Sequence, residues 1–372
     1  MITIIEAITK KQKKDFVKFP FSLYKKCPFW VPPLIQDELD SFDKNKNPAF
    51  ENAEAVFYLA YINGEIVGRI AAIINWDEVR LQNKPKVRFG WFDVIDDLKV
   101  TEALLEKVIE LGESNNLKYI EGPMGFSNLD KVGVITEGFN EIGSMITWYN
   151  YNYYSHHLEQ LGYTIEKEYV ENKFPFENVK LEFFEKAQEI IKKRYQVEPL
   201  NFTDTKKLMP YVDQMFDLFN ASYANLSSFV AITDSQKEYF KKKYISFINP
   251  EYIKFVLDKN KQLIAFSIVM PSFSEALQKS NGTLFPFGWY YLLKARNNAK
   301  TVLFYLIGVH PDYQNKGVHA ILFKENHKTF TEKGILNCIR TPELADNTAI
   351  QLLWKNFKPE VFRKRCTYAK AI

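Results

Sequence analysis

The sequence is short of the residues that build disulfide frames and metal centres. Its three cysteines, Cys27, Cys338 and Cys366, are odd in number and widely spaced, so they read as reduced thiols and not as a covalent framework. Of five histidines, two are adjacent at His156-His157, on a stretch read as helix, where neighbours point in different directions and cannot share an ion. No Cys/His set has zinc spacing, and no metal is expected. An excess of one charge is lacking too: 49 basic against 45 acidic side chains leave a formal net charge of +4, without the electrostatic footprint of a nucleic-acid binder. No window holds the roughly eighteen uninterrupted apolar residues of a spanning helix. Met1-Ile-Thr-Ile-Ile5 runs at once into Glu6 and lysines, unlike a secretory leader. The expectation is a soluble cytoplasmic protein, monomer or homodimer, with neither nucleic acid nor membrane as partner. The Lys10-Lys-Gln-Lys-Lys14 run reads as a solvated helix face.

What is present is length and apolar mass. A chain of 372 residues, 46% hydrophobic, is long enough for two or three domains with buried cores. The later half carries a distinctive junction. Thr301 to Val309 is apolar, β-branched or aromatic at most positions, as in a buried strand. Pro311 then stops the ladder because it has no N–H to donate. After it, Gln314-x-x-Gly317 presents successive backbone N–H groups at the start of a helix, where unpaired donors and the positive dipole end favour an anion. Gly317 lets the backbone approach a ligand closely, while Asn315 and Lys316 add polar and positive side chains.

This junction resembles the acyl-CoA-binding loop of the GNAT (GCN5-related N-acetyltransferase) superfamily, Gln/Arg-x-x-Gly-x-Gly/Ala. Gln314 and Gly317 match, and His319 stands where the pattern has a small residue. Around it, Tyr252 to Asp258 and Gln262 to Met270 read as a hairpin, Val318 to Lys333 as a helix stopped by Gly334, Ile335 to Arg340 as a strand, Asn347 to Phe357 as a helix and Phe362 to Ala371 as a closing strand. The earlier half repeats that order: a hairpin about Asn63-Gly64, a strand over Val87 to Ile95, a helix from Thr101 to Asn115, a strand over Tyr119 to Gly122, a helix from Tyr153 and a strand over Tyr163 to Tyr169. The resemblance implies an α/β (α+β) fold of two tandem GNAT-like domains, 1–175 and 176–372, each with a mixed, mainly antiparallel central sheet flanked by helices. Phe29-Trp-Val-Pro-Pro33 and Gly64-x-x-x-Gly-Arg-Ile-Ala-Ala72 extend the likeness to bacterial tandem GNAT-like proteins of poorly defined activity. The first domain has no equivalent turn. Phe92-Asp-Val-Ile-Asp-Asp-Leu98 offers carboxylates that would repel a pyrophosphate.

The resemblance implies direct acyl transfer from acetyl-CoA or another acyl-CoA to an amine of a small molecule or peptide, with both substrates bound together. It assigns the cofactor to Gln314, Asn315, Lys316, Gly317, Val318 and His319, to a backbone N–H near Ile307 or Val309, and to Asn347. The helix that carries a thiolate-protonating tyrosine in the superfamily has Trp354 instead, which has no phenolic proton. Tyr305, Tyr313 and His319 are the nearby replacements considered, and Glu343 is considered as a base acting directly or through water, with an ion pair to Arg340 as its plainer role. Two irregular segments complete the inventory. Phe285-Pro-Phe-Gly-Trp-Tyr-Tyr-Leu-Leu293 reads as an extra helix packed on the sheet or as an acceptor wall, and Gly122 to Asn128 with Gly133 to Gly143 as a functional loop or a seam between halves. A non-catalytic protein that senses a CoA thioester, or merely keeps the fold, stays open. Aminoacyl transfer from tRNA would want a basic channel that is not visible.

Overall fold

The structure, a computed structural model, describes residues 1–372 apart from Asn128, Asn225, Ser227, Ser228 and Ser246. The first half runs β1 (Ile2–Glu6), α1 (Lys10–Leu23), α2 (Ile35–Ser41), β2 (Ala53–Ile62), β3 (Glu65–Asn75), α3 (Trp76–Leu81), β4 (Lys86–Val94), α4 (Leu98–Ser114), β5 (Tyr119–Gly122), β6 (Val134–Glu137), α5 (Tyr153–Gln160) and β7 (Thr164–Pro175). The second half runs α6 (Leu181–Tyr195), β8 (Glu198–Asn201), α7 (Thr205–Leu208), α8 (Val212–Tyr223), α9 (Asp234–Phe240), β9 (Ile253–Leu257), β10 (Leu263–Pro271), α10 (Ser274–Ser280), α11 (Gly288–Asn298), β11 (Thr301–Val309), α12 (His319–Lys333), β12 (Asn337–Leu344), α13 (Thr348–Trp354) and β13 (Glu360–Ala371).

Local chemistry sets these boundaries. The β2–β3 hairpin turns on Asn63 and Gly64, both at positive φ, as the Asn-Gly pair requires. Helix α4 starts earlier than the periodicity suggested, because the Asp97 side chain accepts the Lys99 N–H and caps it there. Strand β12 starts two residues later than Ile335. Gly334 is left-handed, and the Ile335 N–H closes the end of α12 on the Phe330 carbonyl instead of entering the sheet.

Among the described residues thirteen strands form one mixed sheet, in the order β1-β2-β3-β4-β5-β13-β7-β12-β11-β10-β9-β8, with β6 also on β13. Most neighbours are antiparallel, and β4–β5 and β11–β12 are parallel. The centre is an exchange. The last strand of the second half, β13, lies against β5 of the first, and the last strand of the first half, β7, lies against β12 of the second. The two exchanged strands pair with each other from Glu360–Lys173 to Ala369–Thr164. Glu171 on β7 bridges Arg363 and Arg365 on β13, all three buried. A slip in register would leave those charges buried and unpaired. Helices cover both faces of the sheet: α4 and α5 on one face and α1 on the other over the first half, α8 and α12 on opposite faces over the second.

Candidate functional site

The parallel pairing of β11 with β12 runs only from Thr301–Asn337 to Phe304–Arg340. Beyond it β11 stays with β10 and β12 stays with β7, which it pairs from Asn337 to Leu344 across a register shift between Arg340 and Glu343. A wedge-shaped gap opens between the two strands. A bulge opposite Ile268 and Val269 resets the alternation of β11 at the mouth of this gap. The Ile307 carbonyl accepts the Tyr223 hydroxyl at 3.1 Å, and the Val309 carbonyl accepts the Gln314 side-chain amide at 3.2 Å. On the antiparallel edge N–H and C=O of one residue point the same way, so the Ile307 and Val309 N–H groups face into the gap.

At the wide end of the gap lies the Gln314–Gly317 turn. Asn315 and Gly317 are left-handed, at φ 59° and 76°. The Gln314 N–H returns to His310 and Pro311, and that of Lys316 to Tyr313. The N–H groups of Asn315, Gly317, Val318 and His319 meet no acceptor among the described residues. Four free donors near the positive end of the fifteen-residue helix α12 give this turn the chemistry that favours an anion. Lys316 stands beside it, its ammonium 5.4 Å from the Tyr195 ring centre and 5.3 Å from that of Tyr313. A Cβ on Gly317 would come within 2.9 Å of the tip of Ile191 on α6.

The residues considered for catalysis occupy different surroundings. Tyr305 is spent between the halves: its hydroxyl donates to the Leu129 carbonyl, and burial pushes its pKa up. Glu343 pairs with Arg340, whose guanidinium also lies 5.0 Å over the Trp354 ring. His319, on the first turn of α12, is half-buried against Phe323, and burial lowers its pKa to about 4, so the imidazole is neutral at pH 7. Asn347 caps α13 by accepting the Ile350 N–H. Trp354 fills the narrow end of the gap, buried among Phe304, Phe323, Phe174 and Phe357. The Trp354 indole N–H, Nη1 of Arg340 and the Gln351 amide nitrogen are buried without an acceptor. Sequence spacing singled out neither Arg340 nor Gln351 as a site residue. Asn128, in the glycine-bearing segment, lies outside the described residues.

No protein-family model matches the chain. A solved structure of a tandem GNAT protein from the clavulanic acid biosynthesis pathway superposes over 100% of this chain and 98% of its own, at TM-score 0.59 and 10% sequence identity. The fold is the tandem GNAT fold. Two curated proteins are similar in sequence. Protein YghO of Escherichia coli is 25% identical over 374 residues, 98% of this chain and 94% of that protein. A bacterial ceramide synthase of Caulobacter vibrioides is 24% identical over 298 residues, 78% of this chain and 76% of that protein.

Within this tandem GNAT fold the two halves differ at their corresponding junctions. In the first half β4 and β5 also pair over three residues, Lys86–Tyr119 to Arg88–Glu121. The gap beyond is then closed by backbone: the Met124 N–H bonds the Phe89 carbonyl at 2.8 Å, and a Cβ on Gly90 would sit 2.3 Å from the Met124 carbonyl oxygen. Between β4 and α4 stand only three residues, Ile95 to Asp97, whose carboxylates cap α4 or meet His157. No phosphate cradle forms there. The first half does enclose a cavity lined by Glu38, Arg69, Asp93 and Lys131, with room for about 20 Å³ of water-sized contents. That is room for a single water. Its charged groups are also partnered, Asp93 by Arg69 at 2.7 Å and Glu38 by the Trp91 indole N–H at 2.7 Å and by Lys131 at 4.0 Å.

Proposed function

We propose that the chain is an acyl-CoA-dependent N-acyltransferase that acts through its second half on the amine of a small, long-chain molecule. The observation that carries this is the run of four unpaired backbone N–H groups at Asn315–His319, set at the wide end of a gap between parallel strands. The turn would hold the coenzyme's pyrophosphate, with Lys316 adding charge. The Ile307 and Val309 N–H groups facing the gap would meet the pantetheine and the thioester carbonyl. Transfer forms the nitrogen–carbon bond and breaks the carbon–sulfur bond. Glu343 takes the proton from the attacking amine, directly or through water, and the donors of Arg340, Gln351 and Trp354 favour the departing thiolate without a phenolic acid. The choice of a long-chain acceptor draws on the similarity to a protein named ceramide synthase, since a ceramide is the N-acyl derivative of a long-chain amino alcohol.

Thermal unfolding with and without acetyl-CoA and palmitoyl-CoA tests the binding step. A ligand present at about a hundred times its Kd stabilises the native state by about 2.7 kcal/mol. Absence of any shift at millimolar ligand would remove the coenzyme assignment. Thiol release in the presence of sphinganine, short amines and peptides then separates an enzyme from a sensor: binding without turnover on any amine would favour the sensing role.

A further inference from the structure

The connection between β10 and β11 carries a second feature that acyl transfer does not explain. Residues 272–300 form the helical hairpin α10–α11, and its base is well buried. Leu292 packs with Phe273, Ala276, Leu277 and Val31, the Gln278 amide donates to the carbonyls of Pro28 and Trp30, and the Ile35 N–H bonds that of Gly282. Its outer surface is the opposite. Among the described residues, six of the fifteen exposed large hydrophobic side chains fall within ten positions: Leu284, Phe285, Phe287, Trp289, Tyr290 and Leu293. The other nine are scattered singly, which is ordinary for a folded surface. A contiguous apolar patch of this kind is not. Phe285 is 79% exposed and Phe287 63%, so the aromatic rings stand out from the body instead of lining a groove.

Positive charge adjoins the patch, alongside the acids Asp37, Glu38 and Asp40 of α2, the helix whose Ile35 N–H bonds Gly282. Lys279 and Lys294 are exposed on the hairpin, with Glu275 as the exposed acid of α10. The hairpin is bolted to the end of α1, where a Cβ on Gly282 would lie 2.5 Å from the Phe21 ring. Residues 10–26 contain seven lysines and one acid, Asp15. None of those lysines forms an ion pair among the described residues. Lys11, Lys14, Lys18 and Lys25 are exposed, and Lys11 lies within about 15 Å of Phe21 along the helix. Projecting Trp, Tyr, Phe and Leu beside a lysine field match an anionic lipid surface, where aromatic rings sit at headgroup depth and basic side chains meet phosphates. A protein partner or a second copy would be expected to meet a recessed or flatter surface with fewer like charges around it.

We infer that the α10–α11 tip, with the lysine face of α1, docks the protein peripherally on an anionic bilayer. Among the described residues no helix is long and apolar enough to cross one, so the contact is interfacial. The placement also suits the proposed chemistry, and this one point rests on that reading. The hairpin enters β11 at Thr301, about 27 Å along the strand from Val309 and the phosphate turn. A nucleotide would sit at the end away from the lipid, and the gap where acyl and amine meet would lie between.

Flotation of the full chain with phosphatidylglycerol/phosphatidylethanolamine vesicles, against pure phosphatidylcholine, tests the inference. The wild type should float with the anionic vesicles, and the F285S/F287S/W289S variant should bind at least about tenfold more weakly. K11E/K14E/K18E should weaken binding to anionic vesicles and flatten its salt dependence while keeping the apolar tip intact. Circular dichroism and melting of both variants establish that they fold. Wild-type protein left in the aqueous fraction, or equal binding by the serine variant, would overturn the docking. A wild type that ignores vesicles but changes from dimer to monomer on the serine substitutions would assign the patch to self-association and also overturn it. Palmitoyl-CoA binding followed by melting keeps the two readings apart: the serine variant should retain it, whereas loss of coenzyme binding in Gly317→Asp should leave flotation unchanged.

Discussion

On the proposed reading, Gly317 is the residue on which coenzyme binding would turn. Its φ of 76° and the contact of its hypothetical Cβ with Ile191 make any side chain costly there, and an aspartate adds negative charge inside the N–H cradle. Gly317→Asp should abolish acyl-CoA binding in titration calorimetry while lowering stability by no more than about 2 kcal/mol. Unchanged affinity would mean that the turn holds nothing. Trp354 makes the opposite case, a residue whose first duty is packing. It is 1% exposed and touches four aromatic rings, so Trp354→Ala should cost about 3–5 kcal/mol in denaturant unfolding. Gln314, Gly317 and Lys316 were legible in the sequence because a turn of this kind is local and spelled by glycine and position. The orphaned donors of Arg340 and Gln351 were not. They converge only once β12 has parted from β11 and α13 has folded across the opening.

Among the elements, strand β4 shows how the first half holds its closed form. Lys86 and Arg88 on β4 meet Glu78 on α3, at 3.1 and 2.7 Å, and Lys86 also meets Glu121 on β5 at 2.7 Å. Burial alone would raise the Glu78 pKa, but Arg88 and Lys86 outweigh it and hold the carboxyl at about 2, against an ordinary 4.5. Because the folded value is depressed, this stabilisation is present in full above the unfolded pKa and is lost as pH falls from about 4.5 towards 2. A shift of that size corresponds to about 3 kcal/mol. Glu78→Gln should therefore lower stability at pH 7 and flatten its acid dependence in that window. Parallel acid-unfolding curves for variant and wild type would contradict the pairing. The hairpins, the helix stop at Gly334 and the strand β5 could all be read from the sequence, since period and turn chemistry are short-range signals. The exposure of the α10–α11 tip could not, because an aromatic run of that composition is equally compatible with a core.

The whole molecule is tied together by the exchange of its final strands, and here the sequence is silent for a physical reason. β7 and β13 are each twelve residues long and apolar-polar mixed, and nothing local tells either one which half to join. The pairing is decided by contacts nearly two hundred residues apart, such as Glu171 with Arg363 and Arg365. The tandem repeat was visible as two copies of one element order, which suggests two independent bodies with a boundary at 175. The sheet order argues for a stronger dependence. A fragment 1–175 keeps β5 and β7 but loses the strand between them, and a fragment 176–372 keeps β13 with neither of its partners β5 and β7. Each would expose unpaired strand edges and, in Glu171 or Arg363 and Arg365, buried charges without counterparts. The two fragments made separately should aggregate or show little cooperative unfolding, while co-expression should yield a 1:1 complex that elutes with the intact chain and melts as one transition. Monomeric, cooperatively folded fragments would show that each half closes its own sheet. In that case the exchange in the intact chain would be one of two arrangements open to the same strands.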